Sequence, residues 1–167
     1  ILCRGNIAGR AQLRRVAARL QGAAARSPIE APLLLMIDQE GGRVQRLGPP
    51  HWPSYPAGSA YGRVYQMHGR DAGVAAARLG AQLIASDLRA VGLDVDCLPL
   101  ADIPAPGSDF IIGDRAYGDK SLQVWEIARG AAEGLLAGGV LPVLKHIPGH
   151  GRATVDSHTN LPIVDTD

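Results

Sequence analysis

Residues 140–158 read VLPVLKHIPGHGRATVDSH, in which an apolar run is followed by one Lys, three His and one Asp. The run Val140–Leu144 follows two glycines and predicts a buried strand, although a proline within it is unusual for a central strand. Pro148 and the glycines around His150 favour neither strand nor helix, so residues 147–158 are expected to form a loop. Polar residues at the C-terminal end of a buried strand are typical of the active edge of a parallel α/β fold.

Three interpretations of these polar residues remain open. Loops are generally polar, so the cluster has a purely structural explanation. Imidazole and carboxylate groups also suit zinc or iron, although no HExxH or CxxC spacing supports a metal site built from the loop residues. In the third interpretation, Asp156 orients the ring of His158 so that the ring can move protons near neutral pH. The candidate ligands in the metal interpretation are His146, His150, Asp156 and His158.

The rest of the chain repeats a strand and helix unit. Helices are predicted over residues 11–25, 71–91 and 122–136, and strands at residues 1–3, 33–37, 93–100 and 140–144. Polar residues follow each of the last three strands, and residues 48–62 are expected to form an ordered loop. The apolar face of the second helix is predicted to contain Ala72, Ala75, Ala76, Leu79, Leu83 and Leu88. This βα repetition fits a (β/α)₈ barrel or a doubly wound sheet. The sequence contains no glycine-rich phosphate loop, and the pattern of strands and helices favours the barrel.

Composition narrows the range of partners. The chain has 167 residues, 46% hydrophobic and 20% charged, with a net charge of +1. These values predict one globular domain, or part of one, that attracts neither nucleic acid nor an anionic membrane. Cys3 and Cys97 are expected to be reduced, as in a cytoplasmic protein, and no apolar run reaches the length of a membrane span or a signal peptide. The composition predicts no particular oligomeric state.

Two blocks of sequence carry a family resemblance. Residues 145–151, KHIPGHG, with Asp156-Ser157-His158 after them, closely resemble the signature of bacterial β-N-acetylglucosaminidases of glycoside hydrolase family 3. Residues 37–46, IDQEGGRVQR, resemble a second block of that family. The resemblance runs through residues 1–167 and implies one partial catalytic domain, the N-terminal part of a truncated (β/α)₈ TIM barrel. Four strand-like runs amount to about half of such a barrel.

The resemblance implies an enzyme. Its family members remove terminal β-linked N-acetylglucosamine with retention of configuration, through a covalent intermediate and without a metal or cofactor. His158 matches the acid/base and Asp156 the residue that orients it, whereas the nucleophilic Asp lies beyond residue 167. Asp165 and Asp167 follow the loop too closely to match that nucleophile. The implied substrate is a peptidoglycan-recycling fragment in the cytoplasm, and these 167 residues alone are expected to be inactive.

Other residues match the sugar-binding positions of the family, namely Asp38, Arg46, Arg115, Lys145 and His146. Charged donors and carboxylates are suited to neutral sugars because they form oriented hydrogen bonds with hydroxyl groups. Alternatives remain open, since Asp38 is also able to cap the next segment and Arg46 to pair with Glu40. Three further acids are expected to be structural, namely Asp94, Asp96 and Asp102. A non-catalytic sugar-binding or scaffolding protein derived from the same fold is the alternative function.

Overall fold

The computed structural model describes residues 1–28, 31 and 33–164, which form short strands alternating with helices. The helices are α1 (Arg10–Ala24), α2 (Gly58–His68), α3 (Arg70–Arg89) and α4 (Ser121–Ala137). The strands are β1 (Met36–Ile37), β2 (Gln39–Gly41), β3 (Val44–Gln45), β4 (Val95–Asp96) and β5 (Leu141–Pro142). Two 3₁₀ turns span Arg4–Asn6 and Gly113–Arg115. Asp165 and Asp167 lie outside the described residues.

The main sheet is parallel, as the sequence predicted. Its strand order is β1-β4-β5, with Met36 opposite Val95 and Val95 opposite Leu141. Leu2 forms a parallel bridge with Ile37, so the first residues of the chain extend the sheet beyond β1. Because all four segments run in one direction, the residues after them meet at the same edge of the sheet. The fold is that of the N-terminal part of a (β/α)₈ barrel. Within the described ranges, no helix is both long and apolar enough to cross a membrane.

Pro142 fits into β5 because of the direction of its neighbours' hydrogen bonds. The N–H of Leu141 donates to the carbonyl of Asp94, and the N–H of Val143 donates to the carbonyl of Asp96. The backbone N–H groups on either side of Pro142 thus point toward β4, whereas the N–H that proline lacks would point away from β4. The proline therefore costs the sheet no hydrogen bond between β4 and β5.

Helices α3 and α4 contact each other closely through small residues. A Cβ atom placed on Gly134 would lie 2.3 Å from the carbonyl oxygen of Arg78, and one placed on Gly138 would lie 2.3 Å from the Cβ of Ala85. The predicted apolar face of α3 was only partly right, because Leu88 is buried but Leu79 and Leu83 are 58% and 52% exposed. The residues that α3 buries are smaller on average, namely Gly73, Ala77, Gly80, Ala81, Ile84, Ala85 and Leu88. Close helix packing selects small side chains at this face, and it leaves Leu79 and Leu83 on the outer side of α3.

The sequence analysis missed α2, which begins inside the stretch predicted as a loop. Gly58 and Gly62 in this helix resemble loop residues in sequence, yet both are buried. A Cβ on Gly58 would lie 2.0 Å from the carbonyl oxygen of Arg115, and one on Gly62 would lie 2.2 Å from that of Tyr117. The glycines therefore allow α2 to lie directly against the segment that carries Arg115.

The polar segment after β1 contains a hairpin that was also not predicted. Strands β2 and β3 pair antiparallel with an irregular register between Gln39 and Gly41. Gly41 and Gly42 have φ angles of 95° and 55°, which favour glycine at this turn. The hairpin directs Glu40 inward and returns Arg46 to the same edge of the sheet as Asp38.

Candidate active site

A cavity of about 500 Å³ lies at the C-terminal ends of β1, β4 and β5. Six of the seven residues predicted for the site line it, namely Asp38, Arg46, Arg115, Lys145, His146 and His158. Asp156 does not line the cavity, but it forms hydrogen bonds with His158, which does. The remaining lining residues include Cys97, Ile112, His150 and Ser157. The structure therefore brings together residues that are more than 100 positions apart in the sequence.

Lys145 joins the two loops on which the family resemblance rests. Its Nζ atom lies 2.7 Å from Asp38 Oδ1 and 2.6 Å from Glu40 Oε1. Burial raises the pKa of Asp38, but the hydrogen bond from Lys145 and the positive charges of Lys145 and Arg46 outweigh burial and hold the pKa below its ordinary value. Asp38 is thus an ionised acceptor at neutral pH, suited to sugar hydroxyl groups.

Glu40 is a central residue of the site that the sequence analysis did not select. Arg115 donates two hydrogen bonds to its carboxylate, from Nε to Oε2 at 2.9 Å and from Nη2 to Oε1 at 2.8 Å. The Glu40 side chain is 4% exposed, and the same carboxylate also contacts Lys145. Glu40 therefore fixes the positions of two predicted sugar-binding cations.

Arg46 pairs with Asp38 rather than with Glu40, so the alternative pairing considered from the sequence was wrong. Its Nη2 atom lies 3.8 Å from Asp38 Oδ2, and its backbone N–H donates to Gln39 Oε1. At 3.8 Å, Arg46 retains donors that are able to reach a ligand. Asp38 also does not act as a helix cap, since the segment that follows it is β2.

Asp102 lies against the site, although the sequence analysis left it outside. Its Oδ2 atom lies 2.5 Å from His146 Nδ1, and its Oδ1 atom accepts the backbone N–H of His150 at 2.6 Å. Burial raises the pKa of Asp102, but the hydrogen bonds from the His146 ring and the His150 backbone outweigh burial and lower that pKa. Asp102 thus orients the His146 ring and fixes the start of the loop that follows. Its position after a strand, like that of Asp38, was the signal available in the sequence.

The other two acids near the sheet have structural roles, as predicted. Asp94 accepts the backbone N–H of Leu35 and pairs with Arg89. Asp96 is fully buried and accepts the N–H of Gln39 through Oδ1, whereas its Oδ2 has no hydrogen-bond partner among the residues that the structure describes. Burial raises the pKa of Asp96 well above its ordinary value.

The predicted pairing of Asp156 with His158 is present in the loop. His158 Nδ1 lies 2.6 Å from Asp156 Oδ1, and the same oxygen accepts the backbone N–H of His158. These hydrogen bonds lower the pKa of Asp156. The His158 side chain is 76% exposed, and its Nε2 makes no hydrogen bond to the described part of the chain. The pairing places a proton on Nδ1 and leaves Nε2 available to a ligand.

The metal interpretation gains no support from the loop. Among the described residues, no three His, Cys, Asp or Glu side chains form a group that could hold a metal ion. The Nδ1 atoms of His146 and His158 each face a carboxylate. The site instead combines oriented donors and acceptors with one exposed imidazole, which suits the binding and protonation of an uncharged, hydroxyl-rich molecule.

Known proteins resemble the chain over its whole length. The family model described as the glycosyl hydrolase family 3 N terminal domain matches residues 1–167. Beta-hexosaminidase A of Pseudoalteromonas piscicida is 34% identical over all of this chain and 27% of its own length. The beta-hexosaminidase of Xanthomonas euvesicatoria pv. vesicatoria is 37% identical over 96% of this chain and 45% of its own length. The chain thus spans less than half of these relatives.

Solved structures show the same relationship. The crystal structure of native NagZ from Neisseria gonorrhoeae is 33% identical and superimposes with a TM-score of 0.87. The match covers 96% of this chain and 45% of that protein. The same NagZ has a crystal structure in complex with N-trifluoroacetyl-D-glucosamine, with the same TM-score and coverage.

Proposed function

The chain belongs to glycosyl hydrolase family 3, and from this membership we propose that the protein carrying it is a retaining exo-β-N-acetylglucosaminidase. It removes terminal β-linked N-acetylglucosamine, with His158 as acid/base and Asp156 as the residue that orients it. Asp38, Arg46, Arg115, Lys145 and His146 bind the sugar. The beta-hexosaminidase names of the relatives and the glucosamine derivative bound to the gonococcal NagZ support this choice of substrate.

The observation that carries the proposal is the Asp156–His158 pair beside the cavity. The carboxylates of Asp38 and Glu40 are each held by cations, and the His146 ring is held by Asp102. His158 differs from them because its side chain is exposed and its Nε2 is free of partners among the described residues. Of the ionisable groups lining the cavity, it is the one best placed to reach a glycosidic oxygen.

The proposed reaction has two steps. In the first step, His158 Nε2 donates a proton to the departing glycosidic oxygen while a nucleophilic Asp, which lies beyond these 167 residues, forms a bond to the anomeric carbon. In the second step, His158 removes a proton from water, which attacks the same carbon and releases the Asp. Asp156 stabilises the imidazolium form of His158, which is present before the first step and is restored by the second.

The biological setting is part of the same proposal. Peptidoglycan-recycling fragments carry terminal N-acetylglucosamine, and the sequence resemblance favours them as substrates. The two cysteines, Cys3 and Cys97, are both free, which fits a cytoplasmic location. Release of N-acetylglucosamine from peptidoglycan fragments by a cytoplasmic extract, and loss of that release on gene deletion, would test both points.

Substitution of His158 by Ala in the full-length protein tests the acid/base role. A basic sugar leaving group needs protonation, whereas an activated aryl group departs with little help, so kcat/KM should fall much more for the natural disaccharide than for the aryl glycoside. His68→Ala is the matched control, since His68 is exposed at the end of α2. Equal losses on both substrates would assign His158 to binding and contradict the proposal.

The isolated 167-residue chain separates catalysis from sugar binding. It should hydrolyse neither the disaccharide nor the aryl glycoside, because it lacks the residue that forms the covalent intermediate. The full-length protein is the control and should hydrolyse both. A full-length protein that binds N-acetylglucosamine but hydrolyses neither substrate would instead support the non-catalytic alternative.

A further inference from the structure

Arg43 is a charged residue of the β2–β3 hairpin to which the proposed function gives no role. It directly follows the glycine turn of the hairpin, whereas Glu40 precedes that turn. Among the described residues that line the active-site cavity, Arg46 is present and Arg43 is not. The Arg43 side chain is 35% exposed and pairs instead with residues 110–114, which we call the rim loop.

The rim loop wraps around the guanidinium group of Arg43. The Nη2 atom donates to the carbonyl oxygens of Phe110 at 2.6 Å, Ile111 at 2.7 Å and Ile112 at 3.1 Å. The Nε atom donates to Asp114 Oδ1 at 2.8 Å, and the guanidinium lies 4.9 Å from the centroid of the Phe110 ring. Lysine has a single nitrogen at the end of its side chain, so it is unable to reproduce this set of contacts.

Two of the carbonyl groups that Arg43 binds also hold Arg115. The Ile111 carbonyl accepts a hydrogen bond from Arg115 Nη1 at 2.9 Å, and the Ile112 carbonyl accepts one from the backbone N–H of Arg115 at 2.9 Å. The other side-chain donors of Arg115 bind Glu40. Ile111 and Ile112 also line the cavity beside Arg115. The position of Arg115 therefore depends on Glu40 on one side and on the rim loop on the other.

We propose that Arg43 is a positioning residue for the glycosidase reaction, which holds the rim loop so that Arg115 keeps the geometry that binds the sugar. Arg43 acts through Arg115 and makes no contact with the reacting atoms. The proposal rests on the proposed function, because it takes Arg115 as a sugar-binding residue. Loss of Arg43 should thus weaken sugar binding more than it slows the chemical step.

The first test is Arg43→Lys in the full-length protein, which keeps the charge but not the shape of the donor. With an aryl β-N-acetylglucosaminide as substrate, KM should rise about ten-fold and kcat should change less than about two-fold. Arg129→Lys is the matched control, because Arg129 on α4 also pairs with a carboxylate at 2.8 Å and lies over an aromatic ring at 5.6 Å. The control should leave both constants unchanged.

A double-mutant cycle separates positioning from a general structural role. In an Arg115→Lys background, Arg43→Lys should change KM less than about two-fold, because the residue through which Arg43 acts is already lost. In a His146→Gln background it should keep its full effect, because His146 is held by Asp102 instead. Equal increases of KM in the two backgrounds would overturn the proposal.

Asp114→Asn is a milder second variant, in case Arg43→Lys does not fold. It weakens the ion pair of Arg43 but leaves the carbonyl contacts of the guanidinium in place. KM should rise about three-fold in the parent and stay unchanged in the Arg115→Lys background. An unchanged KM in the parent would contradict the role assigned to Arg43.

Exchange of the Arg115 Nε–H with solvent, followed by NMR, tests the inference without turnover. This group donates to Glu40 Oε2 at 2.9 Å, and its signal is identified by its absence in Arg115→Lys. Arg43→Lys should speed the exchange about five-fold, and Arg129→Lys should leave it unchanged. If the full-length protein hydrolyses no N-acetylglucosaminide, the proposed function fails. If instead the exchange is unaffected by Arg43→Lys, the positioning role of Arg43 is refuted whether or not the protein is a hydrolase.

Discussion

Replacement of Glu40 by Gln should destabilise the protein strongly, although it preserves the shape of the side chain. The buried carboxylate accepts two hydrogen bonds from Arg115 and contacts Lys145 at 2.6 Å. Removal of one partner from a buried ion pair costs about 3–5 kcal/mol, because the remaining charge is left uncompensated. Lys145 keeps its contact with Asp38, and Arg115 keeps its hydrogen bond to the carbonyl of Ile111. We therefore expect the free energy of unfolding to fall by about 3 kcal/mol, at the lower end of that range.

Urea unfolding monitored by circular dichroism measures this loss. With a slope of about 2 kcal/mol per molar urea, the midpoint of Glu40→Gln should fall by about 1.5 M. Glu133→Gln is the matched control, because Glu133 pairs with Arg129 on the exposed surface of α4. Such pairs contribute about 0.5 kcal/mol or less, so the control midpoint should shift by about 0.25 M at most. If Glu40→Gln shifts the midpoint no further than Glu133→Gln, the buried network does not hold the two cations as described.

Two further predictions concern pH and are checked by unfolding over a range of pH values. Asp96→Asn should raise the free energy of unfolding by about 1 kcal/mol at pH 7, because it removes a buried carboxyl group, one oxygen of which has no hydrogen-bond partner in the described part of the chain. Because the pKa of Asp96 is raised on folding, this carboxyl group destabilises the folded state at pH values above its pKa in the unfolded chain. The gain in stability should therefore vanish below about pH 4. A gain that stays constant with pH would contradict the explanation. Asp102→Asn should have the opposite profile. The lowered pKa of Asp102 gives stability that is complete above the unfolded pKa near 3.8 and is lost as the pH falls through the lower folded pKa, so parent and variant should converge in acid. Parallel curves for parent and Asp102→Asn would show that its charge contributes nothing to folding.

Features that depend on local patterns were predictable from the sequence. The predicted helices over residues 11–25, 71–91 and 122–136 match α1, α3 and α4, because apolar residues recur there at helical spacing. The parallel strands were predicted from continuous apolar runs with polar residues after them. Asp38 and Lys145 meet at one end of the sheet, as that pattern requires.

Features that depend on contacts distant in the sequence were missed. Glu40 and Arg115 are 75 residues apart, and Asp102 and His146 are 44 apart, so no local spacing relates them. Helix α2 was not predicted because its glycines are typical of loops in a sequence. They are present because other backbone segments pack closely against the helix, and such tertiary contacts cannot be read from local sequence. Likewise, the buried face of α3 is set by the distance to α4 rather than by hydrophobicity along the helix.

The orientation of Pro142 has a consequence for the behaviour of the chain in solution. Strand β5 and the two residues directly after it carry exposed apolar side chains, Leu141, Val143 and Leu144, which make this segment of the isolated 167-residue chain a potential site of intermolecular aggregation. A second molecule that extends the sheet would need backbone N–H donors on the side of β5 that faces away from β4. Between residues 141 and 145, the backbone N–H groups on that side belong to positions 142 and 144. Proline leaves only Leu144 as a donor on that side. In the isolated 167-residue chain, a residue that costs the sheet no hydrogen bond with β4 thus also removes an N–H donor through which a second molecule could extend the sheet.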